Sequence, residues 1–249
     1  GLSSSCYGPE EAFRTLGEHT YLAVLLAVAT AATVVVISRA YSRIIEEFPH
    51  GGGGYVVASK LLGERAGVVS GAALLVDYVL TITISIAAAA DALYSVLPLD
   101  PASKLPVEAV LIVVLVVLNI RGVRESVLVL LPIFLVFLLT HALLIAGGIA
   151  AKVPRAAAVA GDTLRGFQDG ASTLGIWGML LVLLHAYSLG GGTYTGIEAV
   201  SNGLPIMREP RVETAKRTMV YMAASLAFTA GGLLACYLLW DMSHVPGKT

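Results

Sequence analysis

Long apolar runs with almost no charged residue recur along this chain, and they limit what it can fold into. A helix that crosses a bilayer needs about 20 mostly apolar residues, and the run from Ala66 to Ala90 carries a single charge, at Asp77. Charged residues make up 13% of the chain and the mean hydropathy is +0.82, whereas soluble domains carry about 25% charged residues. We therefore predict an integral membrane protein.

The apolar runs predict a single transmembrane domain over residues 1–249. A short helix at residues 8–17 comes first, because Pro9, Glu10 and Glu11 are typical of a helix N-terminus. The predicted spans that follow are residues 20–45, 66–97, 105–120, 125–151, 172–205 and 216–241. Since the first residue is Gly rather than Met, we expect the chain to be a portion of a longer protein.

Lysine and arginine residues predict the orientation, because cytoplasmic loops carry the excess of positive charge. The segments that connect the predicted spans lie alternately on the two sides of the membrane. Those on one side carry ten lysines and arginines, and those on the other side carry six. We therefore expect a multi-pass protein of the cell membrane with an external loop from Lys152 to Asp169. The loops expected in the cytoplasm are Arg39–Arg65, Arg121–Arg124 and Arg208–Arg217. The formal net charge of −1 gives no basis for binding nucleic acid.

Asp77 begins a stripe of oxygen-bearing side chains at mid-membrane depth. An aspartate at this depth costs about 2.5–3.5 kcal/mol on insertion scales, and such acids mark ion or substrate paths. Tyr78, Thr81 and Ser85 follow along one side of the same helix. One carboxylate and three hydroxyls suit a hard monovalent cation or a proton. The structural alternative for Asp77 is a hydrogen bond between helices.

Two segments at membrane depth interrupt the helical pattern. One is residues 3–9, which include Gly8, and the other is residues 190–196, which include Gly190, Gly191, Gly192 and Gly196. Non-helical backbone at this depth lines a cavity or is buried in protein. Paired breaks in two halves of a chain indicate an inverted-repeat transporter site. Close helix packing is the alternative explanation for the glycine run.

Glu198, directly after the second break, is the strongest candidate for proton coupling, followed by Asp77.

Several other residues have ordinary structural explanations. His141 and His185 are expected to form hydrogen bonds between helices, and Asp91 is expected to be an exposed acid at a helix end. Cys6 and Cys236 are expected to be small buried side chains. We predict no cofactor and no metal site beyond a monovalent cation. No nucleophile elbow, HExxH motif or P-loop occurs, so an enzyme is not expected.

Four segments resemble the amino acid–polyamine–organocation superfamily: SSSCYGPEEA, FPHGGGGYVVASKLLG, TYTGIEAVSNG and MREPRVETAKRTM. Within that superfamily the chain is most similar to the KimA-type potassium importers of the KUP family. The resemblance implies an all-α LeuT-type inverted-repeat fold with discontinuous first and sixth helices, present here only in part. It also implies that the matching residues bind potassium: Tyr7, Asp77, Tyr78, Thr81, Ser85, Thr195 and Glu198.

The leading hypothesis is therefore an importer of potassium that is coupled to protons and embedded in the lipid bilayer. Two alternatives stay open: an amino-acid or polyamine permease of the same superfamily, and a membrane subunit that does not transport. A homodimer is an open alternative for the assembly. Because the resemblance implies a larger transport core, we expect no transport by this portion alone.

Overall fold

The computed structural model is described here for residues 4–242, apart from the side chains of residues 123–126. Helices and short 3-10 turns account for the secondary structure of this part of the chain. The helices are α1 Ser4–Leu16, α2 Ala23–Glu47, α3 Gly53–Leu62, α4 Glu64–Val96, α5 Lys104–Arg121, α6 Val123–Lys152, α7 Ala156–Thr173, α8 Gly175–Leu189, α9 Glu198–Asn202 and α10 Arg211–Trp240. The 3-10 turns are Thr20–Leu22, Pro101–Ser103, Val153–Arg155, Gly190–Tyr194 and Leu204–Ile206.

Six stretches of the described residues are long and apolar enough to cross a membrane. They are Thr20–Glu47, Glu64–Val96, Pro101–Arg121, Val127–Thr173, Gly175–Asn202 and Arg211–Trp240. The prediction of an all-α integral membrane protein is confirmed, and it follows from the need of every backbone polar group in hydrocarbon to find an internal partner.

The core lies where α2 packs along α10. Val34 of α2 meets Met219 and Leu226 of α10 in one fully buried cluster, which Ile197 of the segment between α8 and α9 joins. A second cluster packs α1 against α2, α8 and α10 around residues such as Leu16. These contacts hold α1 and the segment after α8 against the most buried helices, and this packing places the candidate site.

The first predicted break is wrong over its described part. Residues 4–9 are helical, and Pro9 lies inside α1 instead of at its first position. A proline inside a helix costs about 3 kcal/mol, but Gly8 and Pro9 are both buried, and α1 packs closely on the turn Gly190–Tyr194. The tertiary contacts of α1 therefore favour a continuous helix where the local sequence favours a break.

Two further segments differ from the predicted organisation. The expected external loop from Lys152 to Asp169 contains most of a helix, α7, which begins after the turn Val153–Arg155. Alanine at residues 156–158 and 160 supplies strong helix formers there. In addition, α3 is a separate short helix, because Gly51 and Gly52 adopt positive φ before it, Gly53 does so as its first residue, and Gly63 does so after it.

Candidate functional site

The chain leaves the α-helical path between α8 and α9. The turn Gly190–Tyr194 tightens to a 3-10 helix, Thr195 is extended, and Gly196 adopts a φ of 85°. The positive φ is a conformation that residues with a Cβ rarely adopt. Among the glycines predicted to break helices, Gly196 has this conformation, whereas Gly190, Gly191 and Gly192 lie within the turn.

Gly8 has a different role from the one predicted. It lies within α1, and a Cβ placed on it would come within 2.3 Å of the Thr193 side-chain oxygen and 3.0 Å of the Thr193 backbone nitrogen. Thr193 is only 1% exposed. Gly8 therefore permits close contact between α1 and the turn Gly190–Tyr194 and does not break a helix.

Three predicted ligands meet where α1 and α4 contact the interruption, the segment between α8 and α9 that leaves the α-helical path. The Tyr7 hydroxyl lies 3.4 Å from Ser85 Oγ and donates to Ser4 Oγ at 3.0 Å. Ser4 Oγ lies 3.2 Å from Thr195 Oγ1, and Thr195 Oγ1 donates to the Gly192 carbonyl at 2.9 Å. We name Ser4, Tyr7, Ser85 and Thr195 the hydroxyl cluster.

Two other predicted ligands, Asp77 and Glu198, line a separate cavity of about 290 Å³ between α2, α3, α4 and α9. Both side chains are half-buried, and the Gly196 N–H donates to Glu198 Oε1 at 3.2 Å. Asn202 also lines the cavity and donates to the Tyr78 hydroxyl at 2.8 Å. We name this space the acidic cavity.

The predicted ligands therefore divide into two sites along α4. Asp77 and Ser85 are eight residues apart in a continuous helix, which separates their Cα atoms by about 12 Å at 1.5 Å per residue. Thr81 lies between them and is half-buried. Ligands of one cation all touch that ion, so these residues cannot surround a single ion in this conformation.

Three further residues contribute to these sites without having been predicted from the sequence: Ser4, Tyr41 and Asn202. Tyr41 lines the acidic cavity from α2, and its position in the sequence carries no signal for this location. Asn202 could have been found, because it follows Glu198 by four residues and such pairs share a helix face. Ser4 lies three residues before Tyr7 on the same helix face.

The remaining candidate residues have structural partners or lie at the surface. Asp91 forms an ion pair with Lys104, and His185 is exposed on α8. His141 does contact another helix, as predicted, since its Nε2 lies 3.1 Å from Cys6 Sγ. Cys236 is a buried free cysteine, whereas Cys6 is only half-buried.

Comparison with known proteins places this arrangement in a family. Residues 3–240 match a family model described as amino acid permease. The potassium transporter KimA of Bacillus subtilis strain 168 is 33% identical over 253 aligned positions, which cover 100% of this chain and 41% of that relative. The chain thus spans less than half the length of that relative. A match over nearly the whole chain, together with the membrane-spanning helices, shows that the chain belongs to the amino acid permease family of the amino acid–polyamine–organocation superfamily of transporters.

Proposed function

We propose that this chain forms the substrate-binding part of a proton-coupled potassium importer. The observation that carries the proposal is the acidic cavity, where Asp77 and Glu198 face the same space at membrane depth. Paired intramembrane acids line ion and proton paths. The relative named as a potassium transporter supports the same substrate.

The charge of the acidic cavity argues against an amino acid as the substrate. Two carboxylates repel the carboxylate of an amino acid, whereas they attract a cation. A polyamine would also be attracted, so a polyamine permease of the same superfamily is the second candidate. The positive charges of a polyamine would pair with Asp77 and Glu198.

In the proposed path, potassium uses both sites. Hydroxyl and carbonyl oxygens such as those of Tyr7, Ser85 and Thr195 replace the hydration shell of an alkali cation, as carbonyl oxygens do in potassium channels. The carboxylates of Asp77 and Glu198 then attract the ion toward the loops predicted to be cytoplasmic. Glu198 carries the coupled proton.

Uptake of radiolabelled rubidium by the protein as its gene encodes it tests the substrate. We expect uptake that potassium inhibits and that amino acids and spermidine leave unchanged. Inhibition of rubidium uptake by spermidine, together with uptake of radiolabelled spermidine, would instead support the polyamine permease. Absence of both activities in a correctly inserted protein would contradict both candidates.

We expect Thr195→Val to raise the rubidium concentration for half-maximal uptake about two- to tenfold. The change keeps the shape of the side chain but removes the hydroxyl that bonds Ser4 and Gly192, and one hydrogen bond is worth about 0.5–1.5 kcal/mol. Thr83→Val is the matched control, because the Thr83 hydroxyl is exposed and bonds carbonyls of its own helix. An equal effect of the two changes would remove Thr195 from the proposed path.

We expect Glu198→Gln to reduce uptake and to abolish the dependence of the remaining uptake on external pH. The glutamine oxygen still accepts the bond from the Gly196 N–H, but the amide does not titrate. Glu213→Gln, at an exposed position near the start of α10, is the control. A Glu198→Gln protein with the pH dependence of the parent would show that the coupled proton binds elsewhere.

A further inference from the structure

A groove lined by apolar side chains lies between α7, the start of α2 and the end of α10. Its volume is about 510 Å³, and ligand sites of proteins commonly measure about 300–1,000 Å³. All three helices belong to stretches that are apolar enough to cross a membrane. Val24 is 43% exposed and Leu164 is 60% exposed, so the groove opens toward lipid. We name it the apolar groove, and its lining includes Val24, Ala160, Leu164, Phe167, Ala235 and Leu239.

The wall that α7 contributes is fixed by close packing. Ala160, Leu164 and Phe167 recur every three or four residues, so they share one face of the helix. A Cβ on Gly166 would come within 2.7 Å of the Tyr21 ring, so the missing side chain lets this ring lie against α7. The Tyr21 ring also meets the Phe167 ring edge-on, with centroids 5.3 Å apart. The apolar groove is therefore formed without a ligand.

A polar cavity of about 280 Å³ adjoins the apolar groove. Val159, Thr163 and Leu238 line both spaces. The charged groups of the polar cavity are three carboxylates and one guanidinium, from Glu18, Asp162, Asp241 and Arg155. Glu18 follows α1 and Asp241 follows α10, so the polar cavity lies where the membrane-spanning stretches end.

The succession from apolar to charged lining matches a phospholipid. An acyl chain in the apolar groove leaves no polar group without a partner. The Arg155 guanidinium suits a phosphate, to which it can donate two parallel hydrogen bonds. Asp162 already forms an ion pair with Arg165, which assigns Glu18 and Asp241 to a positive group.

The charges of the polar cavity also select the headgroup. Carboxylates outnumber the guanidinium in its lining, so they disfavour an anionic headgroup that has no amine. A primary ammonium carries three N–H donors for the carboxylates of Glu18 and Asp241. A phosphate and a primary ammonium on one lipid are the groups of phosphatidylethanolamine.

We propose that the apolar groove and the polar cavity together bind one molecule of phosphatidylethanolamine. An acyl chain lies in the groove along α7, the phosphate accepts from Arg155, and the ammonium donates to Glu18 and Asp241. The bound lipid braces α7 against α2 and α10. Phosphatidylglycerol has the same phosphate and acyl chains but no ammonium, so it binds more weakly.

Native mass spectrometry of the purified protein, as its gene encodes it, tests the apolar groove. The probe is palmitoyl-oleoyl phosphatidylethanolamine in detergent micelles, and we expect the parent to retain one molecule. Ala160→Trp should abolish this retention, because Ala160 is exposed in the groove and an indole there occupies the space of the acyl chain. Ala158→Trp is the matched control, since Ala158 is exposed on the opposite face of α7, outside both linings.

Two outcomes of this experiment would overturn the proposal. Absence of retained lipid in the parent would show that the rest of the longer protein fills the groove or that lipid does not stay there. Equal retention in the two tryptophan variants would show that the lipid binds elsewhere.

Competition between phosphatidylethanolamine and phosphatidylglycerol in the same micelles tests the polar cavity. The parent should prefer phosphatidylethanolamine at least about threefold, the effect expected of exposed ion pairs. Glu18→Gln combined with Asp241→Asn should abolish the preference, and asparagine tolerates the φ of 54° at position 241. Asp169→Asn, an exposed change on α7 outside the cavity, should keep it. No preference in the parent, or a preference that survives the double change, would overturn the headgroup assignment.

Thermal unfolding gives a measurement that needs no variant. Phosphatidylethanolamine should raise the melting temperature of the parent more than phosphatidylglycerol does, because a ligand that binds the folded state stabilises it. Equal melting temperatures in the two lipids would contradict the proposal even if the tryptophan variants failed to fold. None of these measurements requires transport, so failure of the proposed potassium transport would leave the lipid site standing.

Discussion

Asp77→Asn is expected to reduce rubidium uptake to less than a tenth of the parent rate while the protein still inserts into the membrane. Asp77 faces the acidic cavity with Glu198, and the change removes a charge from a cation path. A contact with a charged group is worth about 1.5–3 kcal/mol, which corresponds to more than tenfold in binding. Because the amide lowers the cost of inserting this helix, failed insertion cannot explain a loss of uptake. Initial uptake rates, normalised to the amount of protein in the membrane, provide the measurement.

Asp91→Asn is the matched control for this experiment. Asp91 lies on the same helix, α4, but pairs with Lys104 near the C-terminal end of that helix. Exposed ion pairs contribute only about 0–1 kcal/mol, so uptake should stay near the parent rate. Full activity in Asp77→Asn would remove Asp77 from the proposed path, and equal losses in both variants would indicate a general effect of charge on α4.

Gly8→Ala is expected to lower the melting temperature and to abolish uptake. The added Cβ would meet the Thr193 side-chain oxygen at 2.3 Å, and overpacking of this kind costs about 1–3 kcal/mol. α1 must then move away from the turn Gly190–Tyr194, which separates Tyr7 from Thr195. Thermal unfolding of the purified protein and rubidium uptake provide the two readouts.

Gly231→Ala tests whether alanine is harmful at any helical glycine. A Cβ on Gly231, in α10, meets no atom within 4 Å, and replacing glycine by alanine in a helix is favourable by about 1 kcal/mol. This variant should be as stable as the parent or more so. The double variant Gly8→Ala with Thr193→Ala should recover part of the lost stability, because it removes the closest clashing atom. No change in stability in Gly8→Ala would contradict the close contact between α1 and the turn.

The interruption between α8 and α9 illustrates how local sequence can predict local structure. Consecutive glycines destabilise a helix wherever they occur, and a positive φ at Gly196 is available mainly to glycine. The interruption at residues 190–196 could therefore be predicted without knowledge of any neighbour. Pro9 shows the opposite case. Its local preference is for the start of a helix, but the packing of α1 against the turn Gly190–Tyr194 outweighs that preference, and Pro9 lies inside a continuous helix.

The sequence by itself determined the membrane-spanning helices and the chemical type of the candidate ligands. Apolar length and oxygen-bearing side chains are properties of single segments, so they can be read without a partner. The tertiary structure decided which of these side chains meet. It brings Ser4 to Thr195 and places Tyr41 and Asn202 beside the carboxylates. These contacts join residues far apart in the chain, and they depend on how the helices pack, which no local pattern of residues specifies.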